Sequence, residues 1–165
     1  MSNRREFLTV AGVATGAAAL FAFRGARPAM AATGKFEFQL SDAEWRKRLS
    51  PEAYRVLRQE DTEYPFTSPL LKEHRAGTFI CAGCALPLFS SKTKFDSGTG
   101  WPSFWQPLPH AVATHTDSTL GMTRTEVHCR RCGGHLGHVF DDGPQPTGLR
   151  YCMNGVALKF APGHA

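Results

Sequence analysis

The sequence lacks an apolar run long enough to cross a bilayer. Its most apolar stretch, residues 8–23, is uncharged over 16 residues but rich in Ala and Gly, where a spanning helix needs roughly 20 predominantly apolar residues. Charge of one sign is scarce as well. The formal net charge is +5, and Arg4, Arg5, Arg24 and Arg27 against Glu6 place +3 of it in the first 31 residues. From residue 32 on, 15 basic side chains face 13 acidic ones. That balance is too even for a protein living on phosphate contacts, so nucleic acid is excluded as the expected partner. No low-complexity segment follows residue 31, and no internal repeat is visible beyond a duplicated Cys-x-x-Cys. Cysteine is sparse, with five in 165 residues, and the five divide into two pairs and one alone.

What is present begins with a leader. Arg4-Arg5, Phe7-Leu8, an Ala/Gly-rich apolar stretch and Ala29-Met30-Ala31 give the basic head, short apolar middle and A-x-A end of a secretory signal. The Arg-Arg-x-Phe-Leu head resembles a twin-arginine export signal. The expected organisation is a signal peptide over residues 1–31, a linker over 32–40 and one domain over 41–165. The expected location is the periplasm, reached by twin-arginine translocation, with no membrane contact once the leader is cleaved. A retained membrane anchor is the alternative. Composition, at 42% hydrophobic and 20% charged, suits a single globular domain.

Ser41-Asp42-Ala43-Glu44 has the form of a capping box, predicting a short helix with Trp45 and Leu49 on one side. Ser50-Pro51-Glu52 opens a second helix, because serine caps and proline at the first helical position forfeits no hydrogen bond. Ala53, Tyr54 and Leu57 give it one buried stripe. Past Tyr64-Pro65-Phe66, glycine and proline become frequent and apolar runs shorten. Residues 77–80, 123–127 and 150–160 read as antiparallel strands linked by turns. The expected class is mainly β (α+β): two small helices followed by a twisted β core.

Cys81-Ala82-Gly83-Cys84 and Cys129-Arg130-Arg131-Cys132 are separated by 44 residues. Two such knuckles suggest a structural zinc site of four thiolates, one ion per chain, tying distant hairpins together. Two disulfides remain open as an alternative in an oxidising compartment. A catalytic dithiol is a third reading, although no βαβ pattern surrounds either knuckle. Twin-arginine export carries folded cargo, which lets zinc load before any oxidant is met.

Cys152 stands alone. In a strand over residues 148–160, Arg150, Cys152 and Asn154 share one face, and Val156, Leu158 and Phe160 continue it as core. A strand leaving the core to present a thiol at a pocket floor fits that pattern, with Arg150 favouring the thiolate; a buried, inert cysteine is the plainer alternative. His135 and His138, just after the second knuckle, bring the imidazoles that commonly accompany a cysteine nucleophile. They could also be metal ligands or surface residues. In Phe95-Asp96-Ser97-Gly98-Thr99-Gly100-Trp101-Pro102-Ser103-Phe104-Trp105, three aromatics on a turn-rich course suggest a wall for an apolar methyl or thioether group. Packing over a domain edge is the other possibility.

Together, "CAGC", "KFDSGTGWPSFW", "RTEVHCRRCGGHLGHVFDDG" and "PTGLRYCMNGVALKF" resemble the methionine-R-sulfoxide reductase B (MsrB) family, in unbroken order from about Ser41 to Phe160. The resemblance implies a β-tent-like barrel of two small antiparallel sheets with two N-terminal helices. It implies a thiol-dependent oxidoreductase that repairs methionine-R-sulfoxide, free or in oxidised proteins, with Cys152 as nucleophile and a sulfenic acid intermediate. In that family's pattern His135 and His138 orient or protonate the sulfoxide oxygen, and Asn154 hydrogen-bonds beside the nucleophile. Arg150 favours the thiolate, Trp101 walls the S-methyl group, and Phe140 and Asp142 complete the pocket. Cys81, Cys84, Cys129 and Cys132 match the zinc ligands, and a monomer is expected. Two positions depart from the pattern. Many members carry a resolving cysteine where this chain has Thr99, so regeneration falls to an external thiol, thioredoxin-like or other. A serine is common where this chain has Gly155. A ligand-binding β module without catalysis is the rival class.

Overall fold

A computed structural model describes residues 35–118 and 123–163. The leader, its cleavage point after Ala31 and the start of the linker lie outside the described residues. Helix α1 (Asp42–Arg48) starts at the capping box: Ser41 Oγ accepts from the Glu44 amide at 3.4 Å, and Glu44 Oε2 accepts from the Ser41 amide at 2.8 Å. Helix α2 (Pro51–Gln59) has Ser50 as its cap and ends at Glu60 in the left-handed region. Its buried stripe is Ala53, Tyr54, Val56 and Leu57, and it packs on the strand His135–Phe140 and the turn Gly155–Ala157.

Nine strands follow among the described residues: β1 (Gly77–Cys81), β2 (Pro87–Ser90), β3 (Lys94–Phe95), β4 (Ser103–Phe104), β5 (Val112–Asp117), β6 (Arg124–Cys129), β7 (His135–Phe140), β8 (Arg150–Met153) and β9 (Leu158–Pro162). They form two antiparallel sheets, of order β2-β1-β9 and β3-β4-β8-β7-β6-β5. The architecture is therefore mainly β, with two small sheets and two N-terminal helices. Phe89 and Phe104 stack with centroids 4.4 Å apart, and Phe79 meets Phe104 edge-on at 4.9 Å. These three rings, with Leu88, Val127, Leu136 and Met153, are fully buried. Each such side chain removed from water stabilises the fold by about 1.5–3 kcal/mol. Phe104 is thus core, not part of an exposed aromatic wall.

The expected continuous strand over residues 148–160 is broken. β8 ends at Met153, Gly155–Ala157 form a 3₁₀ turn, and β9 belongs to the other sheet. The cause is a buried carboxylate. Glu63 accepts from the amides of Gly155 at 2.5 Å and Val156 at 3.0 Å, satisfying donors that a sheet ladder would otherwise take. Ser68 leaves no room for a side chain at Gly155, since a Cβ there would overlap Ser68 Oγ. The alternation that put residues 150–160 on one face therefore stops at Asn154.

Candidate active site

The two Cys-x-x-Cys knuckles meet. Cys81 ends β1 and Cys129 ends β6, so the group joins the two sheets. Each knuckle closes by a backbone bond, Ala85 N–H to Cys81 O at 2.9 Å and Gly133 N–H to Cys129 O at 2.8 Å, with Gly133 in the left-handed conformation. The Sγ atoms of Cys81 and Cys132 are 3.8 Å apart, those of Cys84 and Cys129 3.5 Å, and all four lie within 4.8 Å of one another. A disulfide needs about 2.05 Å, whereas sulfurs on a tetrahedron with arms of about 2.3 Å sit about 3.8 Å apart. The cluster is consistent with a structural metal site. His135 and His138 are not members of it.

Cys152 lies outside this cluster, half-buried on β8. Strand pairing sets it between Ser103 on β4 and His138 on β7. It lines a cavity of about 200 Å³ with Thr62, Trp101, Arg124, Gly137, His138, Phe140 and Asn154. Trp101 is held by its indole N–H donating to Glu63 O at 3.1 Å. Thr99 Oγ1, at the position of the family's resolving cysteine, is 3.8 Å from Cys152 Sγ, and Ser97 links Thr99 to Ser103 at 2.8 and 2.7 Å. Burial pushes the Cys152 thiol above its ordinary value, while the Thr99 hydroxyl and the Arg150 charge pull the other way without prevailing.

Of the expected roles, that of Asp142 shifts. Asp142 is exposed and outside the cavity; it receives both Arg150 Nε and NH2 at 2.8 Å. Arg150 therefore spends its fork on Asp142 and stacks over Phe140, 4.4 Å from its centroid, which fixes the cavity wall. Its pull on Cys152 is real but smaller than the cost of burial. Asn154 is buried and makes no bond to the thiol. Its Oδ1 accepts from the Glu63 amide at 3.0 Å and its Nδ2 donates to Leu136 O at 3.1 Å, so it ties the loop carrying Thr62 and Glu63 to the strands.

His135 and His138, three residues apart, should face opposite ways on a regular strand. An extra residue in β7 corrects this: Gly137 pairs with Val127 but His135 with His128, leaving Leu136 bulged. The two rings end with centroids 5.4 Å apart. Gly137 is needed because a Cβ there would strike the Cys152 carbonyl. His138 Nε2 lies 2.9 Å from Asp117 Oδ2. Burial and the Arg124 charge keep this imidazole below its ordinary value despite the Asp117 bond. A neutral ring beside a carboxylate carries its proton on Nε2, which leaves Nδ1 with a lone pair. His135 Nδ1 lies 2.6 Å from Glu126 Oε1, and its buried Nε2 has no partner among the described residues. Burial works to raise the Glu126 carboxyl, but hydrogen bonds from His128 and His135 and the nearby imidazole charge hold it at about 2. Glu63, Thr62, Arg124, Glu126 and Asp117 all escaped the sequence reading. Only the alternation of Arg124, Glu126 and His128 in β6 offered a signal for any of them.

A lone thiol in an aromatic-walled cavity, in a chain whose other four cysteines cluster where the two small sheets join, defines a site for cysteine-based chemistry. Residues 49–162 match the SelR domain, and the chain belongs to that family. It is 56% identical over 126 residues to the peptide methionine sulfoxide reductase MsrB of Leptospira interrogans, covering 76% of this chain and 96% of that one. Over 123 residues it is 58% identical to the protein of the same name from Agrobacterium fabrum, covering 74% and 91%. The Leifsonia xyli protein, also named MsrB, is 58% identical over 133 residues, covering 78% and 96%.

Proposed function

We propose that this protein reduces the R epimer of methionine sulfoxide, free or within oxidised proteins, with Cys152 as the nucleophile. The observation that carries this is the division of five free thiols into four clustered together and one lining a cavity with Trp101, Phe140 and His138. The S-methyl group rests against Trp101, where sulfur–aromatic contact contributes about 0.3–1.5 kcal/mol. Cys152, kept protonated at rest by burial, holds both the nucleophile and the proton the reaction needs. Nδ1 of His138, its cross-strand neighbour, accepts that proton and passes it to the sulfoxide oxygen as sulfur attacks sulfur. The bond between the two sulfurs and the substrate S–O bond then break as the oxygen transfers to the Cys152 sulfur, methionine leaves, and Cys152 is left as a sulfenic acid. Two external thiols then return the enzyme to its thiol form, giving one disulfide and one water.

Zinc is the ion we assign to Cys81, Cys84, Cys129 and Cys132, since four clustered thiolates suit it and leave no open position for chemistry. It supplies rigidity between the sheets and takes no part in turnover. We further assign the Arg4-Arg5 leader to twin-arginine export, which makes the periplasm the place of action of a monomeric repair enzyme fed by a thioredoxin-like or smaller thiol. The experiment is reduction of racemic methionine sulfoxide with dithiothreitol, followed by chiral chromatography. Loss of the R epimer alone is expected; consumption of only the S epimer overturns the proposal.

A further inference from the structure

A second group of metal-ligating side chains lies apart from the cysteines. Glu126 and His128 are two residues apart on β6 and so point to one face. His115 on β5 pairs directly with Glu126. The consequence is convergence on a single oxygen: His115 Nδ1 lies 2.6 Å from Glu126 Oε2, and His128 Nδ1 lies 3.3 Å from the same atom. The other carboxylate oxygen is committed to His135. We propose that His115, Glu126 and His128 form a second metal site, one that takes a divalent transition ion of the zinc type in exchange for protons.

Two imidazole nitrogens and one carboxylate oxygen are a donor set that zinc accepts with an open fourth position. All three ligand atoms lie within 4.8 Å of one another. Arms of about 2.0 Å require ligand atoms about 3.3 Å apart, so the His115–Glu126 contact must widen while the His128–Glu126 distance already fits. His115 is the ligand able to move: its side chain is 44% exposed, against 5% for Glu126 and 9% for His128. The remaining two are held by the strand and by burial, which preorganises the site. The surroundings favour a cation. His115 and Glu126 line a cavity of about 210 Å³ with Glu60, Asp61 and Asp117, against one guanidinium, that of Arg124. Glu60 feels this crowding, since burial and the charge of Glu126 together raise its carboxyl. That cavity shares Thr62, Arg124 and His138 with the one beside Cys152, so an ion here would sit next to the reacting groups without touching the thiol.

The site stands independently of any chemistry at Cys152, and its test does not read turnover. Tag-free protein with the four-cysteine site filled by zinc is titrated with Co²⁺ at neutral pH, following visible absorption and bound metal together. One added equivalent is expected, with the weak bands of nitrogen and oxygen ligation and no intense thiolate-to-cobalt absorption. His115→Ala, at an exposed position, should weaken uptake at least tenfold, and Glu126→Gln should do the same, whereas His110→Ala should leave it unchanged. Three results overturn the proposal: no uptake below millimolar Co²⁺, uptake seen only as thiolate absorption, or both variants binding like the parent.

Discussion

Five cysteines occupy two environments, and the contrast between them separates structural from reactive sulfur. Cys81, Cys84, Cys129 and Cys132 sit at strand ends on turns, buried, with other sulfurs at 3.5 and 3.8 Å. Cys152 sits within a strand, half-buried, with hydroxyls for neighbours and a cavity before it. Burial alone does not distinguish them, because it opposes the thiolate in both places. What differs is company: four sulfurs can share one cation, while one sulfur beside a neutral imidazole can pass on a proton. The sharpest way to break the comparison is a serine in each environment. Cys152→Ser should lower turnover by at least about 10³-fold with metal content and melting temperature unchanged. Cys129→Ser should lose the metal, and with it most of the folded population. Calorimetry and metal analysis on both variants decide this; a Cys152→Ser protein that melts like Cys129→Ser erases the distinction.

A sixth cysteine sharpens the contrast further. Thr99 Oγ1 is 3.8 Å from Cys152 Sγ, close enough that a sulfur there could reach a disulfide with modest movement. After one turnover without reductant, the parent protein should gain one oxygen by intact mass and react with dimedone. Thr99→Cys should instead lose two hydrogens and stop reacting with dimedone, since the oxygen leaves as water. If the parent itself loses two hydrogens, a cluster cysteine has entered the chemistry and the two environments are not separate.

A smaller effect concerns protonation. Because burial outweighs Thr99 and Arg150 and holds the Cys152 thiol above its ordinary value, the thiolate fraction is low at neutral pH and rises with pH. The thiol supplies the proton as well as the sulfur, so kcat/KM for the free enzyme should hold through neutrality and fall on the alkaline side as that proton is lost. Arg150→Met removes a charge that favours the thiolate, so the fall should move to higher pH by up to about one unit. A fall centred below the ordinary thiol range in the parent contradicts this account. So does a profile that Arg150→Met leaves in place.

How much of this was legible in the sequence follows the range of the interaction. The capping box at Ser41 and the proline-led start of α2 are local and appear where expected. The knuckles are local too, and only their meeting required the fold. Pairing is not local. His135 and His138 share a face through a bulge at Leu136 that no spacing rule announces. Glu63 becomes a central residue by reaching across 92 positions to the Gly155 amide, which is also why the expected strand over residues 148–160 breaks. Glu126 and Asp117 carry no local signal of a role, and only the assembled sheet brings His135 and His138 within bonding distance of them. Asp142 beside Arg150 read as a pocket residue, yet their mutual bond turns Asp142 to the surface.

The smallest effect tests the turn that ends the reactive strand. Gly155 stands where serine is common in the family, and the space a side chain would fill is already taken: a Cβ there would overlap Ser68 Oγ and come within 3.2 Å of Glu63 Oε1. Ser68 is itself buried and caps the Leu70 amide at 3.2 Å. The two positions thus share room for one hydroxymethyl group, supplied here from the loop rather than from the turn. Gly155→Ser alone should cost about 1–3 kcal/mol by overpacking, and Ser68→Gly alone a few tenths as a weakened cap. Ser68→Gly combined with Gly155→Ser should recover most of the loss, because the crowding disappears and the Glu63 carboxylate keeps both amides. Urea unfolding of the four proteins gives the coupling directly. A coupling indistinguishable from zero means the turn has slack, and Cys152 is then positioned by β4 and β7 alone.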